Sequence, residues 1–262
     1  MYKRFAIIML AVALSSCGTP QQKTSALEEN KEAKSLLEGI WLDDNTEAAL
    51  LRVKGDTLFY ADAATAPVAF KIIGDSLITY GARTNGYKIE KQGEHIFWFH
   101  SAVGDVIRLH KADTENDSLA FIHTQEVPVY NEVIKKDSVV TFDNVRYRGY
   151  VYINPSKIKV MRPGVSEEGL GVDNVYYDNI IHICVYEGRK SLYAKDITKQ
   201  MFKDIVPDDF LQWAILSDMD FMGVDSKGYH YQATVCVPDD ASCYMVNITV
   251  GKDGGLSFEL VR

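Results

Sequence analysis

The chain has 262 residues, with 28 Lys and Arg against 36 Asp and Glu and a formal charge of −8. At roughly 100–200 residues per domain this length sets one or two domains. A 47% hydrophobic and 24% charged composition argues against wholesale disorder and against a polytopic membrane protein. The acidic balance argues against a nucleic-acid partner, since phosphate binding needs clustered cations.

Lys3 and Arg4 form a short basic segment, and residues 5–14 follow without a charge. Ten apolar residues are too few for the ~20 that span a bilayer as a helix. The run ends in Leu14-Ser15-Ser16-Cys17, which resembles the lipobox of bacterial lipoproteins. That resemblance implies that residues 1–16 are a cleaved signal peptide and that the Cys17 thiol accepts diacylglycerol, followed by acylation of the new amino terminus. At ~0.8 kcal/mol per buried CH₂, several acyl chains hold a protein on a membrane durably. Removal of the first sixteen residues leaves 246, with 26 basic against 36 acidic side chains. Gly18, rather than the Asp that causes inner-membrane retention in the better-known lipoproteins, implies an outer-membrane destination facing either side. Residues 17–36 read as a polar tether. Within it, Ser25-Ala26-Leu27-Glu28 has capping-box spacing for a short helix ending near Gly39.

Residues 37–123 form the first predicted domain. Gly55-Asp56-Thr57-Leu58, Gly74-Asp75-Ser76-Leu77 and Gly93-Glu94-His95-Ile96 recur every 19 residues, and Gly104-Asp105-Val106-Ile107 follows 11 later. Gly followed by an acid suits tight hairpins. A strand near Trp41 and segments 49–53, 58–61, 68–73, 77–80, 87–90, 95–99 and 106–109 complete an antiparallel meander curled into a small barrel. Gly39-Ile40-Trp41 resembles the G-x-W of lipocalins, which implies a calyx for a small apolar ligand. A small barrel filled by its own side chains is the expectation favoured over that calyx. Ile96 and Trp98 face one side of their strand and Phe97 and Phe99 the other, so the outer face is expected to pack on the following domain.

Residues 112–118 are a polar boundary, and one more strand is expected around Phe121. Residues 124–138 act as a connector to an α+β domain over 139–262. Strands are predicted at 139–153, 157–161, 179–186 and 191–195. Thr198 caps a helix burying Met201, Phe202, Ile205 and Val206. Pro207 ends it, and Asp208 or Asp209 caps a second helix with Phe210, Leu211, Ala214 and Ile215 on one face. Strands at 219–224, 229–237, 244–250 and 256–261 close the chain. The fold class is therefore α+β, predominantly antiparallel β: a small lipocalin-like meander barrel followed by a domain with two short helices.

Local catalytic motifs are absent from the sequence: it holds no G-x-S-x-G elbow, H-E-x-x-H pair or P-loop, and no cofactor is implied. The glycine-rich stretch 164–171 offers Glu167 and Glu168 where a phosphate loop needs Lys, and reads as a flexible loop. Asp218-Met219-Asp220-Phe221-Met222-Gly223 fails as a calcium loop, because Met222 takes a ligand position and Tyr229 replaces the closing glutamate. No metal site follows. Cys184 reads as a small core residue. Cys236 and Cys243 flank a hairpin loop, where either a cross-hairpin disulfide or two buried thiols fit. Arg146, Arg148, Tyr150 and Tyr152 share one face of a strand by period two. They form either a binding surface for carboxylates, sugars or a protein, or an ordinary solvated sheet face.

Cys17, Gly39-Ile40-Trp41, Gly55-Asp56-Thr57-Leu58, Tyr177-Asp178-Asn179-Ile180-Ile181 and Asp208-Asp209-Phe210-Leu211 together resemble an uncharacterised outer-membrane lipoprotein family of gut-type diderm bacteria. The resemblance implies architecture and address but no catalytic residue. The expected function is a non-enzymatic envelope-anchored binding protein. Its partners would be the membrane, through the lipid, and an envelope protein, a glycan or a small apolar ligand. The alternative is a secreted hydrolase whose site gathers distant carboxylates such as Asp218 and Asp220.

Overall fold

The computed structural model describes residues 28–113, 115–122 and 132–261. Cys17 and the Ser25 capping box lie outside them. A short helix, α1 (Lys31–Leu36), is capped by Asn30, whose side-chain oxygen accepts from the Ala33 N–H at 3.0 Å. This segment packs on the barrel and is no part of a free tether. Glu29 bridges to Ile73, and Lys34 Nζ lies 2.7 Å from Glu29 and 2.6 Å from Asp56.

Eight strands then close an antiparallel barrel: β1 (Gly39–Asp43), β2 (Ala49–Lys54), β3 (Thr57–Tyr60), β4 (Val68–Ile73), β5 (Ser76–Tyr80), β6 (Thr84–Gln92), β7 (Ile96–His100) and β8 (Val106–Lys111). β1 pairs with β8 through Trp41 and Lys111. Gly55 and Gly74 open two-residue turns at φ 58° and 62°, the geometry of a II′ hairpin. The 19-residue spacing amounts to two strands and two turns, so Gly55, Gly74 and Gly93 sit at one end of the barrel. Gly104 sits at the other.

Side chains fill the barrel. Trp41 Nε1 donates to the Leu37 carbonyl at 2.7 Å, sealing the α1 end. From Trp41 a ladder of rings crosses the interior through Phe97, Phe99 and Tyr87, with successive centroids 5.8, 4.8 and 5.8 Å apart. On the outer face Trp98 lies under Lys91 and Arg108, whose charged groups are 4.8 and 5.2 Å from the ring. The covering expected from the following domain is thus supplied locally by two long side chains.

A 3-10 turn (Glu115–Phe121) replaces the strand expected around Phe121. Two four-stranded antiparallel sheets follow. The first has the order β12-β11-β10-β9, from β9 (Ile134–Phe142), β10 (Val145–Val165), β11 (Gly171–Glu187) and β12 (Lys190–Ile197). The second runs β13 (Ile215–Val224), β14 (Gly228–Cys236), β15 (Cys243–Gly251) and β16 (Leu256–Leu260). The predicted strand at 139–153 is two, because Asp143 and Asn144 both take positive φ, as a I′ turn requires.

The sheets share one core, in which Val151, Ile153, Ile181 and Ile183 belong to the same cluster as Met219, Phe221, Ala233 and Ile248. Gly149 is required in that core: a Cβ there would stand 2.3 Å from the Phe221 ring. Between β12 and β13 the chain forms a 3-10 turn (Lys199–Phe202) and α2 (Asp208–Leu211), and this connection adds Phe202, Val206, Leu211 and Ala214 to the core. Three local expectations fail here. Thr198 makes no side-chain capping bond, Pro207 occupies the cap position expected of Asp208 or Asp209, and Ile215 begins β13.

Past a register shift between Pro155 and Lys159, β10 and β11 run on as an arm that reaches the barrel's second end. The Ala66 N–H donates to the Asp173 carbonyl at 2.8 Å, Val175 N–H to Ala64 at 2.7 Å and Ala102 N–H to Gly169 at 3.0 Å. Leu170 and Val172 join the barrel core. The stretch read as a flexible loop is the cork of the barrel.

Candidate functional site

The strand register of the first sheet assembles a patch on its outer face. Arg146, Arg148, Tyr150 and Tyr152 alternate with the buried Gly149, Val151 and Ile153 along β10. Across β11 the partners of Arg148, Tyr150 and Tyr152 are Tyr186, Cys184 and His182; across β9 Tyr150 pairs with Asp137. The Tyr150 and Tyr152 rings are 6.1 Å apart and inclined by only 11°, and Tyr186 meets Tyr150 edge-on at 5.7 Å. Arg148 lies 5.0 Å above the Tyr150 ring, and its Nε donates to Asp137 at 2.7 Å. The Asp137 hydrogen bond and charge raise the pKa of the Arg148 guanidinium further. His182 stands 6.2 Å from the Tyr152 ring and 2.7 Å from Asp196. The result is a set of aromatic rings with one cation held over Tyr150.

Tyr186, Asp137 and Asp196 were not among the residues the sequence singled out. Each strand's period of two was readable, but the register that brings the strands side by side was not.

Cys184 is buried at 5% exposure, as a small core residue is, and its register partner on β10 is Tyr150. Burial pushes its thiol pKa up. A nucleophilic cysteine needs the opposite shift.

Asp218 and Asp220 do come together, but as the two acceptors of a lysine clamp. Lys136 Nζ lies 2.6 Å from Asp218 and 2.9 Å from Asp220, and these bonds outweigh desolvation to raise its pKa. The carboxylates are 43% and 61% exposed, on an open sheet face and not in a cleft. Among the described residues no cluster of His, Cys, Asp and Glu is placed to hold a metal ion.

Cys236 and Cys243 are joined by a disulfide across the β14–β15 hairpin. Its loop clasps the β10–β11 arm: Arg162 donates to the Pro238 carbonyl and to Asp240, and the Tyr176 hydroxyl donates to Asp239.

No curated protein matches the chain. A family model described as a domain of unknown function, DUF4738, matches residues 114–258, which run from the 3-10 turn after the barrel through both sheets. The chain, an eight-stranded barrel corked by the arm of a two-sheet domain, belongs to the DUF4738 family.

Proposed function

We propose that this chain is a lipid-anchored envelope protein that acts by binding, with Cys17 as its anchor and the Arg148, Tyr150, Tyr152 and Tyr186 face as its contact surface for a protein partner. The observation carrying this reading is the patch itself: two near-parallel tyrosine rings with an arginine laid over one of them and clamped by Asp137. Tyr and Arg dominate binding hot spots. Side chains already fixed by neighbours lose little further rotamer freedom on docking. The filled barrel supports the same reading, because a small apolar ligand has no calyx to enter. The anchor is supported by the ten-residue apolar run leading to Leu14-Ser15-Ser16-Cys17, and Gly18 points it to the outer membrane.

The test uses full-length protein captured from native envelopes with its anchor intact. Cys17→Ser is expected to move the protein from the membrane to the soluble fraction. Tyr150→Ala with Tyr152→Ala should release a partner that the wild type retains, without changing the melting curve. Recovery of the same set of partners by the tyrosine variant would remove the proposed contact surface.

A further inference from the structure

A second surface lies where the β10–β11 arm passes the barrel rim. A groove of about 490 Å³ runs between Ala82 of the β5–β6 turn, the Ile158–Met161 stretch of the arm and the Leu211–Trp213 segment. Small-molecule sites span roughly 300–1,000 Å³ and are largely apolar, with a few placed polar groups. One such group here is Lys199, which lines the groove and is 5% exposed. Its Nζ donates to the Ala214 carbonyl and stands 3.7 Å from Asp178 Oδ2, too far for a hydrogen bond. Asp178 is 1% exposed, and its Oδ1 already accepts from the N–H groups of Leu216 and Asn179.

An ammonium carries three N–H donors. Among the described residues, Lys199 has one hydrogen-bonded acceptor and one distant counter-ion. A buried donor left unspent costs stability unless water or a ligand completes it. Burial lowers the Lys199 pKa against the upward pull of Asp178, in keeping with that incomplete satisfaction. Lys159 and Lys203 also line the groove, with Asp208 as the one acid in its lining and Asp178 behind Lys199. This is a local excess of positive charge on a chain of net charge −8. Apolar surface is available too: Ile158 and Met161 are 45% and 46% exposed.

We propose that this groove binds a small amphipathic carboxylate, its anionic end against Lys199 between Lys159 and Lys203 and its apolar body along Ile158, Met161 and Trp213. The site is separate from the tyrosine face, and the two readings stand or fall independently.

The test titrates the purified full chain with 4-phenylbutyrate and decanoate, and with 4-phenylbutanol and decanol as uncharged counterparts. Calorimetry and tryptophan fluorescence provide the readouts. One acid per chain is expected to bind, at least about tenfold tighter than its alcohol. Lys159→Glu with Lys203→Glu should erase that preference while leaving the alcohol's affinity in place, and Trp213→Ala should weaken acid and alcohol alike. Lys199→Met should abolish acid selectivity. Should that variant fail to fold, the rim variants decide alone. Equal affinity for acid and alcohol in both pairs, or acid binding indifferent to the Lys159 and Lys203 reversals, overturns the proposal.

Discussion

The Gly171 backbone N–H donates to the Tyr87 hydroxyl at 2.8 Å, tying residues 84 positions apart inside the barrel mouth. Tyr87 ends the ring ladder that begins at Trp41, and Leu170 and Val172 pack beside it. The family match begins after the barrel and contains the arm. The barrel therefore completes its core with residues of the family domain, and the two should unfold together. Leu170→Ala removes a buried side chain and is expected to cost about 2–5 kcal/mol. In urea unfolding followed by amide exchange, protection should fall across β1–β8 as well as in the arm. A loss confined to β10 and β11 would show that the barrel stands without its cork.

Gly149 and Phe221 meet across the two sheets, where an added Cβ would lie 2.3 Å from the ring. Gly149→Ala is expected to destabilise by about 1–3 kcal/mol through overpacking. Phe221→Leu should recover part of that loss. In a double-mutant cycle the pair should therefore be non-additive, with the double variant more stable than the sum of the single effects predicts. Additive losses would mean that Gly149 is required for some other reason.

These two relationships differ in how far the sequence revealed them. Gly149 falls on the inward face of β10 by simple alternation with Arg148 and Tyr150, so its burial was readable. The identity of Phe221 as its neighbour depends on how the sheets cross. The barrel was readable because each strand is short, alternating and bounded by a Gly-containing turn, all local properties. The cork was not: residues 164–171 are rich in glycine and carry Glu167 and Glu168, the composition of a loose loop. Leu170 and Val172 gain their meaning from a barrel mouth that the chain built about 70 residues or more earlier, a long-range contact no local pattern encodes. Lys199 was missed for a related reason. Thr198-Lys199-Gln200 reads as a solvated helix start, and only the fold turns the lysine inward toward Asp178.

The Cys236–Cys243 disulfide closes a loop with a sequence separation of 7. By chain entropy alone a loop of that size contributes roughly 2–3 kcal/mol. Cys236→Ser with Cys243→Ser is expected to lower unfolding stability by about that amount. Because Arg162 and Tyr176 hold the hairpin loop independently, the folded arm should keep its position. Unfolding in urea with and without reductant measures the first effect. Unchanged chemical shifts for Arg162 and Tyr176 in the variant would confirm the second, whereas their displacement would make the disulfide the organiser of the clasp.

Burial holds Lys199 below the ordinary lysine value of 10.5, against the upward pull of Asp178. The folded chain thus releases this proton at lower pH than the unfolded chain does. Between the two values the unfolded state binds more protons, so the Lys199 contribution to stability rises with pH through that window. Below the window both states are charged and the burial penalty is felt in full. Asp178→Asn removes the group that raises the Lys199 pKa. It should widen the window and cost about 3–5 kcal/mol near neutrality, as breaking a buried pair does. Asp178→Asn combined with Lys199→Met should recover most of that loss and flatten the rise. Tyr60 and Tyr231 are raised by burial and give stability that falls with pH in the alkaline range. The measurement is therefore the difference between wild type and the double variant as pH rises toward the ordinary lysine value of 10.5, in which the tyrosine contributions cancel. A difference that stays constant over that range would mean that Lys199 keeps its proton in the fold as firmly as in the open chain.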